Sequence, residues 1–236
     1  MKRIFALYKK ELRSYFNSPI GYIYLVVFLV LTQWLFLRNF FVFPQTTLRD
    51  LFSLFPIIFV LFIPGLTMRL WAEERKVNTL EVLFTLPLKD YEILLGKFFS
   101  AFTFFAISLI LTIPLPITLS LIGDLDFGAT FSGYIGALFL GASYISLGLA
   151  LSSFTQNQIV AYILSVTICF LFYITGEDAL IANFSTFWIN IFKFFSLKTR
   201  FESITRGIID LRDIIYYISF IGFFLYLNIW IMDRKR

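Results

Sequence analysis

The chain has no histidine and a single cysteine among its 236 residues. These absences exclude a disulfide framework, a Cys/His zinc site, a cysteine–histidine nucleophile pair and any histidine proton relay. Charge is scarce as well: Asp, Glu, Lys and Arg make up 15% of the sequence, against roughly 25% in an ordinary soluble domain. What fills the space is apolar. Hydrophobic residues reach 59% and aromatic residues 20%, with 32 phenylalanines, so too few polar residues remain to coat a water-soluble globule. The bilayer is the solvent that this composition suits. The net charge of +5 does not indicate nucleic acid, because the basic residues flank apolar runs and form no separate basic domain.

A helix that crosses the hydrocarbon core needs about 20 mainly apolar residues. Six such runs are expected as spans: about 19–37, 51–68, 98–122, 131–154, 159–175 and 214–232. The fourth and fifth are joined only by Thr155-Gln156-Asn157-Gln158, which makes them an antiparallel hairpin. Alternating ten-residue strands are absent, so the expected class is an all-α membrane protein with six transmembrane helices. It is expected to divide into an amphipathic interfacial helix over 1–18 and a six-span domain over 19–236.

An even number of spans puts both termini on one side. With that side cytoplasmic, it carries most of the 20 basic residues: Lys2, Arg3, Lys9, Lys10, Arg13, Arg69, Arg75, Lys76, Lys89, Lys97, Arg234, Lys235 and Arg236. The positive-inside rule therefore favours a multi-pass membrane protein with both termini cytoplasmic. No cleaved signal peptide is recognisable, since the first apolar run begins only near residue 19.

Phe5, Tyr8, Leu12, Tyr15 and Phe16 recur at helical spacing, with Lys9, Lys10 and Arg13 mostly on the other side. This is the pattern of a helix lying in the membrane interface, its aromatics dipped in and its cations on anionic headgroups. It serves either as an anchor or to position a cytoplasmic partner. Between spans two and three, Asn78 is followed three residues later by Glu81, a capping-box-like start, and Pro87 disfavours helix at Leu86. A short helix over about 79–86 is thus bracketed, with Leu80, Leu83 and Phe84 on one face. That face is too short to span and too apolar to stand in water. It packs back on the protein's own helix ends or on lipid, or it docks into another subunit.

The run Met68-Arg-Leu-Trp-Ala-Glu-Glu-Arg-Lys, with Asn78-Thr-Leu-Glu-Val-Leu-Phe-Thr-Leu-Pro87 and Gly96-Lys97, closely resembles the coupling region of ABC-2 type permeases, the membrane subunits of many ATP-driven exporters. Lys10-Glu-Leu-Arg-Ser-Tyr-Phe-Asn-Ser-Pro19 resembles that family's amphipathic connecting helix, and Phe201-Glu-Ser-Ile-Thr-Arg-Gly-Ile-Ile-Asp-Leu-Arg-Asp213 resembles the stretch before its last span. The resemblance covers essentially the whole chain. Its nearest subgroup is the gliding-motility permeases, with the permease for nitrous-oxide reductase maturation as a relative. One departure is Asn78, where the family often has glycine.

The resemblance implies a half-transporter that pairs with a second permease copy or paralogue, with cytoplasmic ABC ATPase subunits and with a membrane partner bearing a periplasmic domain. Glu73, Glu74, Asn78, Thr79, Leu80, Glu81, Leu83, Phe84 and Pro87 would form the ATPase-coupling interface. ATP and magnesium would sit on the ATPase, leaving this chain without a cofactor or metal of its own and without enzymatic activity. The sequence agrees: it holds no G-x-x-x-x-G-K-[ST], because Tyr91 stands where the first glycine of Gly96-Lys97 would be and Phe98 where Ser or Thr would follow. Glu73 and Glu74 also fit a solvated helix end balanced by Arg75 and Lys76. The different-class alternative is a membrane scaffold that transmits ATPase-driven work to periplasmic or surface machinery without moving a substrate.

No Asp, Glu, Lys or Arg falls within the six expected cores, which argues against a proton- or sodium-coupled carrier and leaves the substrate site unknown. Gly133, Ala137 and Gly141, then Ala142, Ser146 and Ala150, form small-residue stripes in span four, fit for packing within the chain or between permeases. Pro56, Pro64, Pro114 and Pro116 are expected to kink or unwind spans two and three. The external segment 176–212 is dense in aromatics such as Phe184, Phe187 and Trp188, so interfacial or re-entrant helices are expected there.

Overall fold

The computed structural model describes residues 2–42, 47–79, 89–178, 184–208 and 210–234. Among them every regular element is α-helical: α1 (Lys2–Asn17), α2 (Pro19–Val42), α3 (Arg49–Thr67), α4 (Arg69–Lys76), α5 (Asp90–Ile110), α6 (Pro114–Ile122), α7 (Phe127–Ser152), α8 (Gln158–Ile174), α9 (Thr186–Phe195), α10 (Leu197–Thr205) and α11 (Leu211–Asp233). Five stretches are long and apolar enough to cross a membrane: Pro19–Arg38, Arg49–Lys76, Asp90–Ile122, Phe127–Ser152 and Leu211–Asp233. The expected fifth span corresponds to α8, a shorter apolar helix of 17 residues.

Four of the described helices begin where a nearby side chain takes up an otherwise unpaired amide. Asp126 accepts from Ala129 N at 3.1 Å to start α7, Asn157 from Ile159 N at 2.9 Å to start α8, Ser196 from Thr199 N at 3.1 Å to start α10, and Asp210 from Arg212 N at 2.9 Å to start α11. The prolines act differently from one another. Pro56 and Pro64 lie buried within α3 without interrupting it. The break comes at Met68, whose amide still reaches Pro64 O at 2.9 Å. Pro114, by contrast, opens a new helix at the first position, where its missing N–H leaves no bond unmade, and three residues of turn separate α5 from α6.

α7 is the hub. It packs on α3, α4, α5, α8, α10 and α11, and its small residues set the approach distances. A Cβ on Gly133 would fall 2.3 Å from Phe52 Cε2, one on Gly141 2.1 Å from Phe105 Cε1, and one on Gly148 2.2 Å from Thr67 Oγ1. Gly133 and Gly141, of the first stripe expected to serve either intramolecular or intermolecular packing, therefore face the chain's own α3 and α5. Around these contacts runs an aromatic core, with Phe55 stacked on Phe59 at 5.1 Å and Phe59 edge-on to Phe105 at 5.0 Å between centroids.

α1 occupies nearly the segment expected for it, but its packing face is different. Leu7 and Tyr15 are buried, whereas Phe5, counted with the apolar stripe, is 62% exposed. The face turned inward runs Leu7, Glu11, Tyr15, at four-residue steps, and lies along α5. The expected start of span three also moves, because the helix begins at Asp90, eight residues before the first apolar run. Two helices, α9 and α10, lie within the segment 176–212, and Leu197, Phe201 and Ile204 of α10 are fully buried, with Phe201 and Ile204 set over Gly136 of α7.

Candidate functional site

The chain that carries the expected coupling residues leaves the bundle through α4. No side chain of its own caps the start of this helix. Ser152, the last residue of α7, does so from across the bundle: its Oγ accepts from Trp71 N and Ala72 N, each at 3.3 Å, and donates to Met68 O at 2.8 Å. One buried hydroxyl thus satisfies both sides of the break between α3 and α4. On its far side α4 lies near α11, with Arg75 Nη2 at 3.6 Å from Met232 Sδ.

Beside α4 sits the most deeply buried cation of the described residues. The Lys97 side chain is 1% exposed, and its Nζ lies 2.6 Å from Glu74 Oε1, 3.5 Å from Glu11 Oε1 and 2.8 Å from Leu70 O. The ring of Trp71 covers the same ammonium at 4.9 Å. One residue thus joins α1, α4 and α5. A lone ammonium would be too costly to bury there; two carboxylates and a carbonyl compensate it. Gly96 explains how α1 comes so close, since a Cβ at that position would fall 2.9 Å from Leu7 Cδ2.

The three helices enclose a cavity of about 240 Å³ lined by residues that include Lys10, Glu11, Arg69, Glu73, Glu74, Thr79 and Lys97. Tyr15 closes its inner end by donating to Leu66 O at 3.0 Å, with the Arg69 guanidinium 4.7 Å above its ring. Burial pushes the Tyr15 phenol well above its ordinary range, against the pull of Arg69, so the hydroxyl stays neutral and able to donate. Arg69 also donates to Ser18 Oγ at 3.2 Å, in the turn between α1 and α2. The assembly has no nucleophile–base pair. It ties α4 to α1, α5 and α7 by ionic and packed contacts.

Of the residues expected at the coupling interface, Leu80, Glu81, Leu83, Phe84 and Pro87 lie outside the described residues. Glu73 and Glu74, read together as one acidic pair, part company: Glu73 is exposed and Glu74 turns inward to Lys97. Asn78 has a left-handed backbone with φ of 56°, which is the conformation of a residue that ends a helix and not the extended backbone of an N-cap. It terminates α4, its amide bonding to Arg75 O at 3.2 Å, and Thr79 Oγ1 donates to Glu74 O at 3.3 Å. The frequent glycine at this position in permeases that the sequence resembles has the same physical explanation, since glycine enters the left-handed region without strain.

Besides Glu11 and Ser152, sequence reasoning missed the interior placement of Lys97, Asp213 and Asn228. Lys97 and Asp213 each lie one residue outside an expected span, yet Lys97 is fully buried, and Asp213 is 2% exposed and holds Arg200 Nη1 at 3.0 Å. Asn228, in the second half of the last apolar run, is fully buried. The available signal was periodicity: Lys97 follows a glycine on the same helix face that carries Ile93 and Ala101, both buried. A sequence match now complements this geometry. The family model described as ABC-2 family transporter protein matches residues 8–232. No curated protein sequence matches the chain significantly.

Proposed function

The chain belongs to the ABC-2 family of transporter proteins and is a transmembrane, non-catalytic component of an ABC transporter; we propose that it is the permease subunit of an exporter driven by a separate cytoplasmic ATPase. The observation that carries this reading is the junction around Lys97. It binds α4, the helix leading directly into segment 80–88, to α1 and α5 through charges held inside the protein. Such a junction suits a part that receives force, because buried paired charges resist separation more than a solvated helix end does.

In this proposal Leu80, Glu81, Leu83 and Phe84 insert into the ATPase, Pro87 ends the inserted helix, and ATP with magnesium is bound there and not by this chain. Six spans follow if α8 crosses as the short fifth one, and the cluster of basic residues at the ends of the sequence supports cytoplasmic termini in an inner membrane. A second permease copy or a paralogue completes the translocation route. The narrower assignment to the gliding-motility group rests on the quoted motif resemblance alone.

The test is coexpression with an ABC ATPase followed by purification. The isolated chain is expected to show no ATP hydrolysis, and Leu83→Asp or Phe84→Asp to release the ATPase while the permease still inserts in the membrane. A complex that survives both substitutions would refute the docking assignment, and hydrolysis by the isolated chain would refute the permease assignment. ATP-dependent substrate movement in proteoliposomes is the outcome expected of an exporter.

A further inference from the structure

At the end of the bundle opposite Lys97, α8, α9 and α11 leave a groove of about 790 Å³, within the range of about 300–1,000 Å³ usual for small-molecule sites. Its walls are aromatic, with Phe172, Phe195, Phe220 and Phe224 prominent, while Arg200 and Arg212 lie at one end. Tyr216 holds the groove open by donating from its hydroxyl to Phe195 O at 2.7 Å, which fixes the end of α9 against α11. From Arg212 to Phe224 the groove follows twelve residues of α11, about 18 Å at 1.5 Å per residue, or slightly more than half of a hydrocarbon core about 30 Å thick.

The two arginines at the open end are held differently. Asp213 is buried and occupied by Arg200 Nη1 at 3.0 Å. Arg212 is exposed and has no ion-pair partner among the described residues. Arg200 has a further unmet demand, since its Nε is buried without a hydrogen-bond partner, which is costly for a donor on a charged group. Lys193 is paired with Asp178 and Lys198 with Glu177 and Glu202, while the exposed Arg206 and Asp210 have no ion-pair partner among the described residues, the Asp210 carboxylate accepting from Arg212 N at 2.9 Å. A cationic mouth over an apolar slot one leaflet deep is complementary to an anionic headgroup with its acyl chain below.

We propose that this groove binds one phospholipid with an anionic headgroup from the leaflet opposite the chain termini, its phosphate held by Arg212 and Arg200 and one acyl chain along Phe220 and Phe224. The site requires only that α11 crosses the membrane, so it stands or falls apart from the exporter assignment. Asp213 keeps Arg200 in place, Tyr216 supports its guanidinium at 5.6 Å, and Arg212 supplies the uncompensated charge.

The experiment is native mass spectrometry of the full chain from mixed-lipid nanodiscs, comparing dioleoyl-phosphatidylglycerol with dioleoyl-phosphatidylcholine. Preferential retention of one phosphatidylglycerol is expected, and Arg212→Gln should reduce that preference roughly fivefold, the effect of one interfacial cation. Arg212→Lys should keep most of it, and Ser219→Phe, which fills the groove, should reduce retention of both lipids. Lys9→Gln, at the other end of the bundle, should leave the preference unchanged. Equal retention of the two lipids, or a preference that responds to Lys9→Gln and not to Arg212→Gln, would overturn the proposal. So would disulfide formation between copies of a Phe223→Cys variant in native membranes, which would show a second copy of the chain occupying the groove.

Discussion

Lys97 Nζ and Glu74 Oε1 lie 2.6 Å apart, one on α5 and the other on α4, within a bundle whose interior is mostly aromatic and aliphatic with serine and threonine hydroxyls among them. Twenty-three residues separate them in sequence. Their meeting requires Gly96 to admit Leu7 of α1 and Met68 to turn α3 into α4. The same ammonium bonds to Leu70 O at 2.8 Å and lies 3.5 Å from Glu11 Oε1, so its removal leaves two carboxylates facing each other with nothing between them.

Lys97→Ala is expected to destabilise the protein by about 3 kcal/mol, the lower part of the range for breaking a buried pair, because both carboxylates keep some access to water. Lys97→Met combined with Glu74→Gln should be milder than the sum of its parts. Thermal unfolding of the single and double variants in detergent measures this, and strict additivity would show that the two side chains act independently.

Ser152→Ala removes the hydroxyl that caps α4 from the end of α7 and leaves two buried amides and a carbonyl with less than they need. A loss of about 1–3 kcal/mol is expected, accompanied by faster hydrogen exchange at Trp71 and Ala72. If exchange at those two amides is unchanged, α4 is held by other contacts.

Gly141→Ala places a methyl group where Phe105 already stands, since the ideal Cβ position is 2.1 Å from its Cε1 and the ring is fully buried. The expected cost is about 1–3 kcal/mol from overpacking. Gly222→Ala on α11 is the comparison, as nothing lies within 4 Å of its added Cβ. It should be neutral or stabilising by about 0.5–1 kcal/mol, because alanine loses less backbone freedom in a helix.

At the end of the bundle opposite Lys97, burial works to lower the pKa of Lys198, but its hydrogen bond to Glu177 and the nearby Tyr173, Glu202 and Glu177 outweigh it and raise the group above its ordinary value. A pKa raised by folding contributes stability that is full below the unfolded value and is lost as pH rises through the folded one. The link between the end of α8 and α10 should therefore hold at neutral pH and weaken above about pH 10.5. Melting temperatures taken across alkaline pH should fall less steeply for Lys198→Met than for the parent protein.

The parts of the fold that could be read before folding are those in which each residue reports on its own solvent. Span positions follow from apolar runs, and the starts of α7, α8 and α10 follow from Asp126, Asn157 and Ser196, since a capping side chain acts within three residues of itself. Amphipathicity of α1 was visible too, but not which residue turned toward α5, because Glu11 is a solvated charge by composition and a buried partner only in the presence of Lys97. For the same reason the helix of Lys97 begins earlier than its apolar run. A charge ends a span when lipid or water is the only alternative, and continues it when a counter-ion waits inside. Asn78 is an N-cap by its neighbours in sequence and a helix terminator by its backbone, as its φ of 56° shows.

The amino-acid sequence by itself determined the solvent, the helical class, the approximate spans and the family motifs, because hydropathy and local hydrogen bonding are properties of neighbouring residues. Only the tertiary structure decided where the few charges act. Pairing Lys97 with Glu11 and Glu74, capping α4 with Ser152 and leaving Arg212 unmatched over an apolar groove all depend on distances between helices remote in the chain. Those distances are set by which side chains are small enough to let backbones approach.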